Sequence, residues 1–152
     1  MVEPNSNDVG SDAIKDPIGL WEADEFYADY SGTLYDWNQL YPCITAAIRE
    51  VDNNMPILIG GNGYSGVTWL PYLQPTDDRR TVYMIHQYKP QNGYTHQEPP
   101  LILTYPGMFD MGDNGTVDRF NRIWLENLLG TVDRFVATHG VPVAVNEFGL
   151  IR

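Results

Sequence analysis

Three short apolar runs, set among segments of helical period, constrain this chain more than any other feature. Ile57-Leu58-Ile59, Thr81 to Tyr88 and Val141 to Asn146 are rich in β-branched and aromatic residues, which favour strands. Ile57–Ile59 is apolar at every position between Pro56 and the Gly60-Gly61 pair, as a strand covered on both faces is. From Tyr35 to Val51 the period is helical, with Leu40, Ile44, Ile48 and Val51 at steps of four, four and three along one face. Asp36 is a candidate N-cap, Pro42 is tolerable only near the first turn, and Asp52-Asn53-Asn54 stops the helix. A second helix is expected over Asp118–His139, with Phe120, Trp124, Leu128, Val132, Phe135 and Val136 on one side. Gly130 weakens it and Gly140 ends it. Residues 19–29 and 66–74 each have room for a brief helix, and Met1-Val2-Glu3-Pro4 reads as the end of a strand.

The order is then β, α, β, short α, β, α, β, which implies parallel strands joined by right-handed crossovers. No glycine-rich phosphate fingerprint follows a strand, so a nucleotide-binding sheet is disfavoured. The reading is an α/β fold, part of a (β/α)8 TIM barrel: residues 1–152 as one half-barrel domain of about four parallel strands with outer helices. In such a barrel chemistry gathers where strands run out into loops at the C-terminal face. Glu3, Asn62, His86, Tyr88 and Glu147 stand at those ends, and the long loops 5–34 and 89–116 follow strand ends on the same face.

The charge narrows the partners. With 9 Lys+Arg against 20 Asp+Glu the formal net charge is −11, which repels nucleic acid and anionic membrane surfaces. A neutral ligand meets no such barrier. The 4 Trp and 10 Tyr suit a sugar, whose flat face stacks on a ring while its hydroxyls seek hydrogen bonds. Packing is the competing explanation for any single ring. No window approaches the roughly 20 apolar residues of a membrane helix, and no basic-then-apolar leader opens the sequence. Cys43, in a helical segment, is expected to be a buried small hydrophobe, and a lone cysteine forms no internal disulfide. His86, His96 and His139 are too scattered for a metal site, and no cofactor is expected.

Two carboxylates on one barrel face suit glycoside hydrolysis, in which one protonates the leaving oxygen and the other attacks or activates water. Glu3-Pro4-Asn5 resembles the acid/base strand of the clan-A glycosidases, and Val145-Asn146-Glu147-Phe148-Gly149 resembles their nucleophile strand. His86-Gln87-Tyr88 resembles the sixth-strand His-x-Tyr of family 5, the cellulase and mannanase family, and Tyr35 to Asn53 is similar to that family's fourth helix. The resemblance covers the whole chain, from the fourth strand to the seventh. It implies a retaining endo-β-1,4-glucanase-like hydrolase of a β-linked polysaccharide or oligosaccharide, secreted from the cell.

By that resemblance Glu3 is the general acid/base and Glu147 the nucleophile. Tyr88 or another nearby hydroxyl orients Glu147, and His86 binds sugar hydroxyls. Trp69 is either a stacking platform or helix packing, Trp37 and Trp124 read as packing, and Trp21 and Tyr64 stay open. Where the family has Asn before its acid/base this chain has Val2, for which Asn5 or Asn7 would have to compensate. The early strands and the eighth, from which the family draws further site residues, have no counterpart in the chain. Four strands leave two unpaired edges, so a homodimer closing an eight-stranded barrel is expected. A non-catalytic self-associating half-barrel and a sugar-binding module are the alternatives.

Overall fold

The computed structural model describes residues 22–90, 104–110 and 117–149. The expected strand at residues 1–4, with Glu3 and Asn5, lies outside the described residues, as do Trp21, His96 and much of the two long loops. The described elements are α1 (Ala23–Tyr30), α2 (Trp37–Val51), β1 (Ile57–Ile59), a 3-10 helix (Val67–Tyr72), β2 (Thr81–Gln87), β3 (Gly107–Asp110), β4 (Val117–Phe120), α3 (Arg122–His139) and β5 (Val143–Phe148). β1, β2 and β5 form a three-stranded sheet in that order, parallel throughout. It is an α/β architecture of the expected kind, consistent with part of a barrel.

The two longer helices, α2 and α3, each start and stop for a local reason. Asp36 caps α2 by accepting the Asn38 amide at 3.0 Å, and its other carboxylate oxygen takes the Gly32 amide at 2.9 Å. Asp52 then closes the far end, accepting the amides of Asn54 at 2.7 Å and Met55 at 3.0 Å. Asn121 caps α3 through the Trp124 amide at 2.9 Å, and Gly140 ends it in the left-handed region at φ 66°. Pro42 lies in the second turn of α2, where it removes the bond that would reach the Asn38 carbonyl, yet the helix runs on. The Asn38 side chain instead ties α2 to the 3-10 helix, donating to the Tyr72 carbonyl at 2.9 Å and accepting from Gln74 at 2.8 Å.

One sheet face forms the main core. Ile57, Ile59, Tyr83 and Ile85 pack against Trp37 and Tyr41 of α2, Leu70 of the 3-10 helix and Phe135 of α3. At the other end of the strands an arginine clamp joins three segments. Arg49 pairs with Asp78 at 2.6 Å and donates to the carbonyls of Asp52 at 3.1 Å and Met55 at 2.7 Å.

Four expectations need correction. The buried side of α2 is Trp37, Tyr41 and Thr45 with part of Ile44 and Ile48, whereas Leu40 is 49% and Val51 91% exposed. The aromatic rings at the start of the helix outcompete the aliphatic row, rotating the buried stripe. Cys43 is consequently exposed rather than buried. α3 begins at Arg122, because Val117–Phe120 pairs antiparallel with Gly107–Asp110 as a hairpin. Residues 89–116 are therefore not wholly loop. Phe120, fully buried, lies on this hairpin and meets the Trp124 ring edge-on at 5.3 Å, while Val136 is 39% exposed.

Candidate active site

β2 and β5 end side by side, and their register sets the site. Tyr83, Met84 and Ile85 pair with Val143, Ala144 and Val145 in step, but His86 then pairs with Glu147. Asn146 is the extra residue of a bulge. In uninterrupted pairing Glu147 would stand beside Gln87 and share the helix-covered face with Tyr83 and Ile85, since neighbouring parallel residues point the same way. The inserted residue moves it to the face of Met84 and His86, opposite the core.

On that face the Glu147 carboxylate has His86 and Tyr88 beside it among the described residues. His86 Nδ1 is 3.5 Å from Glu147 Oε2, and the Tyr88 hydroxyl donates to the same oxygen, also at 3.5 Å. Both separations exceed the 2.5–2.9 Å typical of short bonds to a carboxylate, so the group is bracketed rather than clamped. Such bonds tighten when a reacting partner fills the site. His86 is 8% exposed and Glu147 45%, which makes the histidine a fixed wall and leaves the carboxylate open to an incoming molecule. The His86 amide donates to the Ser65 carbonyl at 2.8 Å, so the loop after β1 is fastened to the site as well.

That loop has an unusual backbone. Gly63, Tyr64 and Ser65 follow one another at φ 63°, 54° and 57°. Left-handed geometry costs a residue with a side chain about 1–2 kcal/mol, and two such residues adopt it here. The turn is closed by Ser65 N to Gly61 O at 3.3 Å and Gly66 N to Gly63 O at 3.0 Å. The glycines at 60 and 63 are required by space. A Cβ on Gly63 would meet the Trp69 ring at 2.1 Å, and one on Gly60 would meet Ser65 Oγ at 1.9 Å.

Two residues first placed at the site serve the scaffold. Asn62 is 2% exposed; its Oδ1 accepts from the Tyr27 hydroxyl at 3.1 Å and the Trp37 amide at 3.0 Å, and its Nδ2 donates to the Tyr35 carbonyl at 2.9 Å. It joins α1, α2 and the end of β1. Burial, with the Asp36 carboxylate nearby, pushes the Tyr27 phenol well above its ordinary range, so it stays a neutral donor. Trp69 is 6% exposed and packs with Ala23, Phe26 and Tyr30, its ring 5.3 Å from that of Phe26. It offers no open platform, and packing is the alternative that fits. Glu3 and Asn5 fall outside the described residues, so their distance to Glu147 is not part of this geometry.

Sequence reasoning missed the bulge at Asn146 and the left-handed turn. The doubled glycines around Tyr64 were the available signal for the turn; nothing in composition marks the bulge. Among the described residues no group of three or more His, Cys, Asp or Glu side chains is arranged to hold a metal ion.

The chain matches the model of the cellulase family, glycosyl hydrolase family 5, over residues 3–152. Endoglucanase 3 of Fibrobacter succinogenes is 26% identical over 154 residues, which take in 82% of this chain and 23% of that protein. Endoglucanase C of Acetivibrio thermocellus is 42% identical over 83 residues, or 49% of this chain and 24% of that protein. Endoglucanase C307 of Clostridium sp. strain F1 is 40% identical over a stretch of the same length. The chain thus spans about a quarter of the length of the curated relatives it matches. With strand-end residues of the expected type on a parallel α/β sheet and a family match over nearly its full length, the chain belongs to glycosyl hydrolase family 5, the cellulase family.

Proposed function

We propose that this chain carries the catalytic carboxylates of a retaining β-glycosidase acting, outside the cell, on a β-1,4-linked glucan. The observation that carries this reading is the position of Glu147: at a strand end, opposite the core, against His86 and Tyr88, and half open to solvent. Glu147 attacks the anomeric carbon as the glycosidic oxygen departs with a proton from Glu3, leaving a glycosyl ester on Glu147. Glu3 then takes a proton from water, whose oxygen attacks the same carbon and frees Glu147. Tyr88 holds one carboxylate oxygen aside so that the other faces the sugar, and His86 binds a sugar hydroxyl. Asn5 takes over the 2-hydroxyl contact that Val2 lacks.

The test is reducing-sugar release from soluble cellulose, mixed-linkage β-glucan and glucomannan. Glu147→Gln should abolish release while preserving the fold. Release that persists at the parent rate in the variant removes Glu147 from the chemistry.

A self-associating half-barrel is a second reading, favoured by β5. Among the described residues it lies at the edge of the parallel sheet, with Val145 43% and Phe148 75% exposed. An open apolar edge is a liability that pairing relieves. A homodimer would bring eight strands together if the first residues supply a fourth. Light scattering at micromolar concentration that returns the mass of one chain rejects it.

A further inference from the structure

On the side of the sheet away from Glu147, α3 and the 3-10 helix leave an open hollow of about 190 Å3 between them. It is lined by Pro71, Thr131, Arg134, Phe135, Thr138 and His139. Phe135 makes the floor. It is buried, its ring meets that of Tyr83 edge-on at 6.0 Å on the helix-covered face, and the His139 ring lies 4.6 Å from it. The hollow is thus partly aromatic and lies across the sheet from the active-site residues.

Its charge is unusual for this chain. Carboxylates outnumber Lys and Arg 20 to 9, yet none is among the residues lining the hollow. Arg49 is paired with Asp78 and Arg122 with Glu126, whereas Arg134 forms no ion pair among the described residues. A basic residue near a helix C-terminus often serves the terminal carbonyls. Arg134 points the other way. Its Nη2 donates to Thr131 Oγ1 at 3.0 Å, and its Nη1 lies 3.5 Å from where a Cβ on Gly130 would stand. The guanidinium is laid back over the preceding turn and held there by one hydroxyl, with most of its five N–H donors uncommitted among the described residues.

We propose that this hollow binds a sugar acid, a single pyranose unit carrying a carboxylate. Its volume is below the roughly 300–1,000 Å3 of sites for drug-sized ligands, which leaves room for one ring. Arg134 takes the carboxylate, whose planar pair of oxygens matches the guanidinium fork. The apolar side of the sugar lies against Pro71 and the aromatic floor. The Thr131 and Thr138 hydroxyls, which can donate as well as accept, meet the sugar hydroxyls. The net charge of −11 does not oppose this at short range, because salt screens exposed charges beyond about 8–10 Å. The site is independent of Glu147 and of the β-glucan reading.

The experiment titrates the isotope-labelled 152-residue chain with methyl glucuronoside at constant ionic strength and follows the amide NMR signals. Methyl glucoside, the same ring without the charge, and acetate, the charge without the ring, are titrated alongside. The glucuronoside should give saturable shifts centred on residues 131–139 and the neighbours of Pro71, and each control should bind about 10-fold more weakly or less. Arg134→Gln should weaken glucuronoside binding by about 10-fold or more, and Thr138→Val by about 2- to 13-fold, with the rest of the amide spectrum unchanged. Equal saturation by methyl glucoside removes the carboxylate from recognition and overturns the proposal. Equal saturation by acetate makes the hollow a general anion site and overturns it too. Binding that survives intact in Arg134→Gln, or no saturable shift in this region, has the same consequence.

Discussion

Replacing Asn62 with alanine isolates what one buried amide contributes to the scaffold beneath the site. The side chain serves three partners at once: the Tyr27 hydroxyl of α1, the Trp37 amide that opens α2, and the Tyr35 carbonyl between them. The Trp37 amide is buried and has no water to turn to, so losing its acceptor costs about 1–3 kcal/mol. The Tyr27 hydroxyl and Tyr35 carbonyl are only partly buried, and each forfeits the net value of one bond, about 0.5–1.5 kcal/mol. The sum is roughly 2–6 kcal/mol, a large share of the 5–15 kcal/mol that holds a typical domain together. For a chain of this size that corresponds to a fall of about 5–20 °C in Tm. Urea unfolding followed by tryptophan fluorescence measures the loss directly. Tyr27→Phe alone should cost less, since it deletes one donor and leaves Asn62 two partners. The double variant should lose less than the sum of the single losses, because both remove the same bond. An Asn62→Ala protein within about 1 kcal/mol of the parent, or strictly additive losses, would refute the picture of Asn62 as the junction of α1, α2 and β1.

Gly63→Ala should destabilise the chain by about 2–5 kcal/mol, since it adds left-handed strain at φ 63° to a Cβ placed against the Trp69 ring. Denaturant titration checks this, and an unchanged midpoint would mean that the turn and ring separate easily. Acid should weaken the Arg49 clamp. The Arg49 hydrogen bond holds the Asp78 carboxyl below its ordinary value of 3.8, and the Asn54 and Met55 amides do the same for Asp52. Both folded values are depressed, so the stability they give is complete above the ordinary value and is lost as pH falls through the lowered ones. The urea midpoint of the parent should therefore fall on acidification below about pH 4, with a shallower fall in Asp78→Asn. Identical profiles in the two proteins would remove Asp78 from the acid response.

The α/β alternation was legible because periodicity reports burial, and the caps were legible because Asp36 and Gly140 are the residue types that such ends require. The orientation of α2 was not. Counting aliphatics pointed to Leu40 and Val51, but burial went to Trp37 and Tyr41, whose rings fill more of the core. The Tyr41 hydroxyl keeps a partner there, donating to the Gln74 carbonyl. The β3–β4 hairpin escaped notice because its strands are four residues each and carry charge, so the Asn114-Gly115 turn signature between them passed for part of a long loop. At the site, the residue types His86, Tyr88 and Glu147 stood out in the sequence. What placed Glu147 on their side did not, because a bulge is a property of pairing between strands and leaves no mark on either strand alone.

The bulge in β5 makes the side of the sheet that Glu147 occupies depend on how the strand pairs rather than on which residues it contains. Paired without the bulge, the same residues would set Asn146 opposite His86 and turn Glu147 toward the helices. A change elsewhere that let Asn146 slip into regular pairing would therefore reverse the carboxylate while leaving every letter of the strand in place. Likeness judged by matched letters is blind to that difference, and comparison of such strands has to follow their pairing as well as read their sequence.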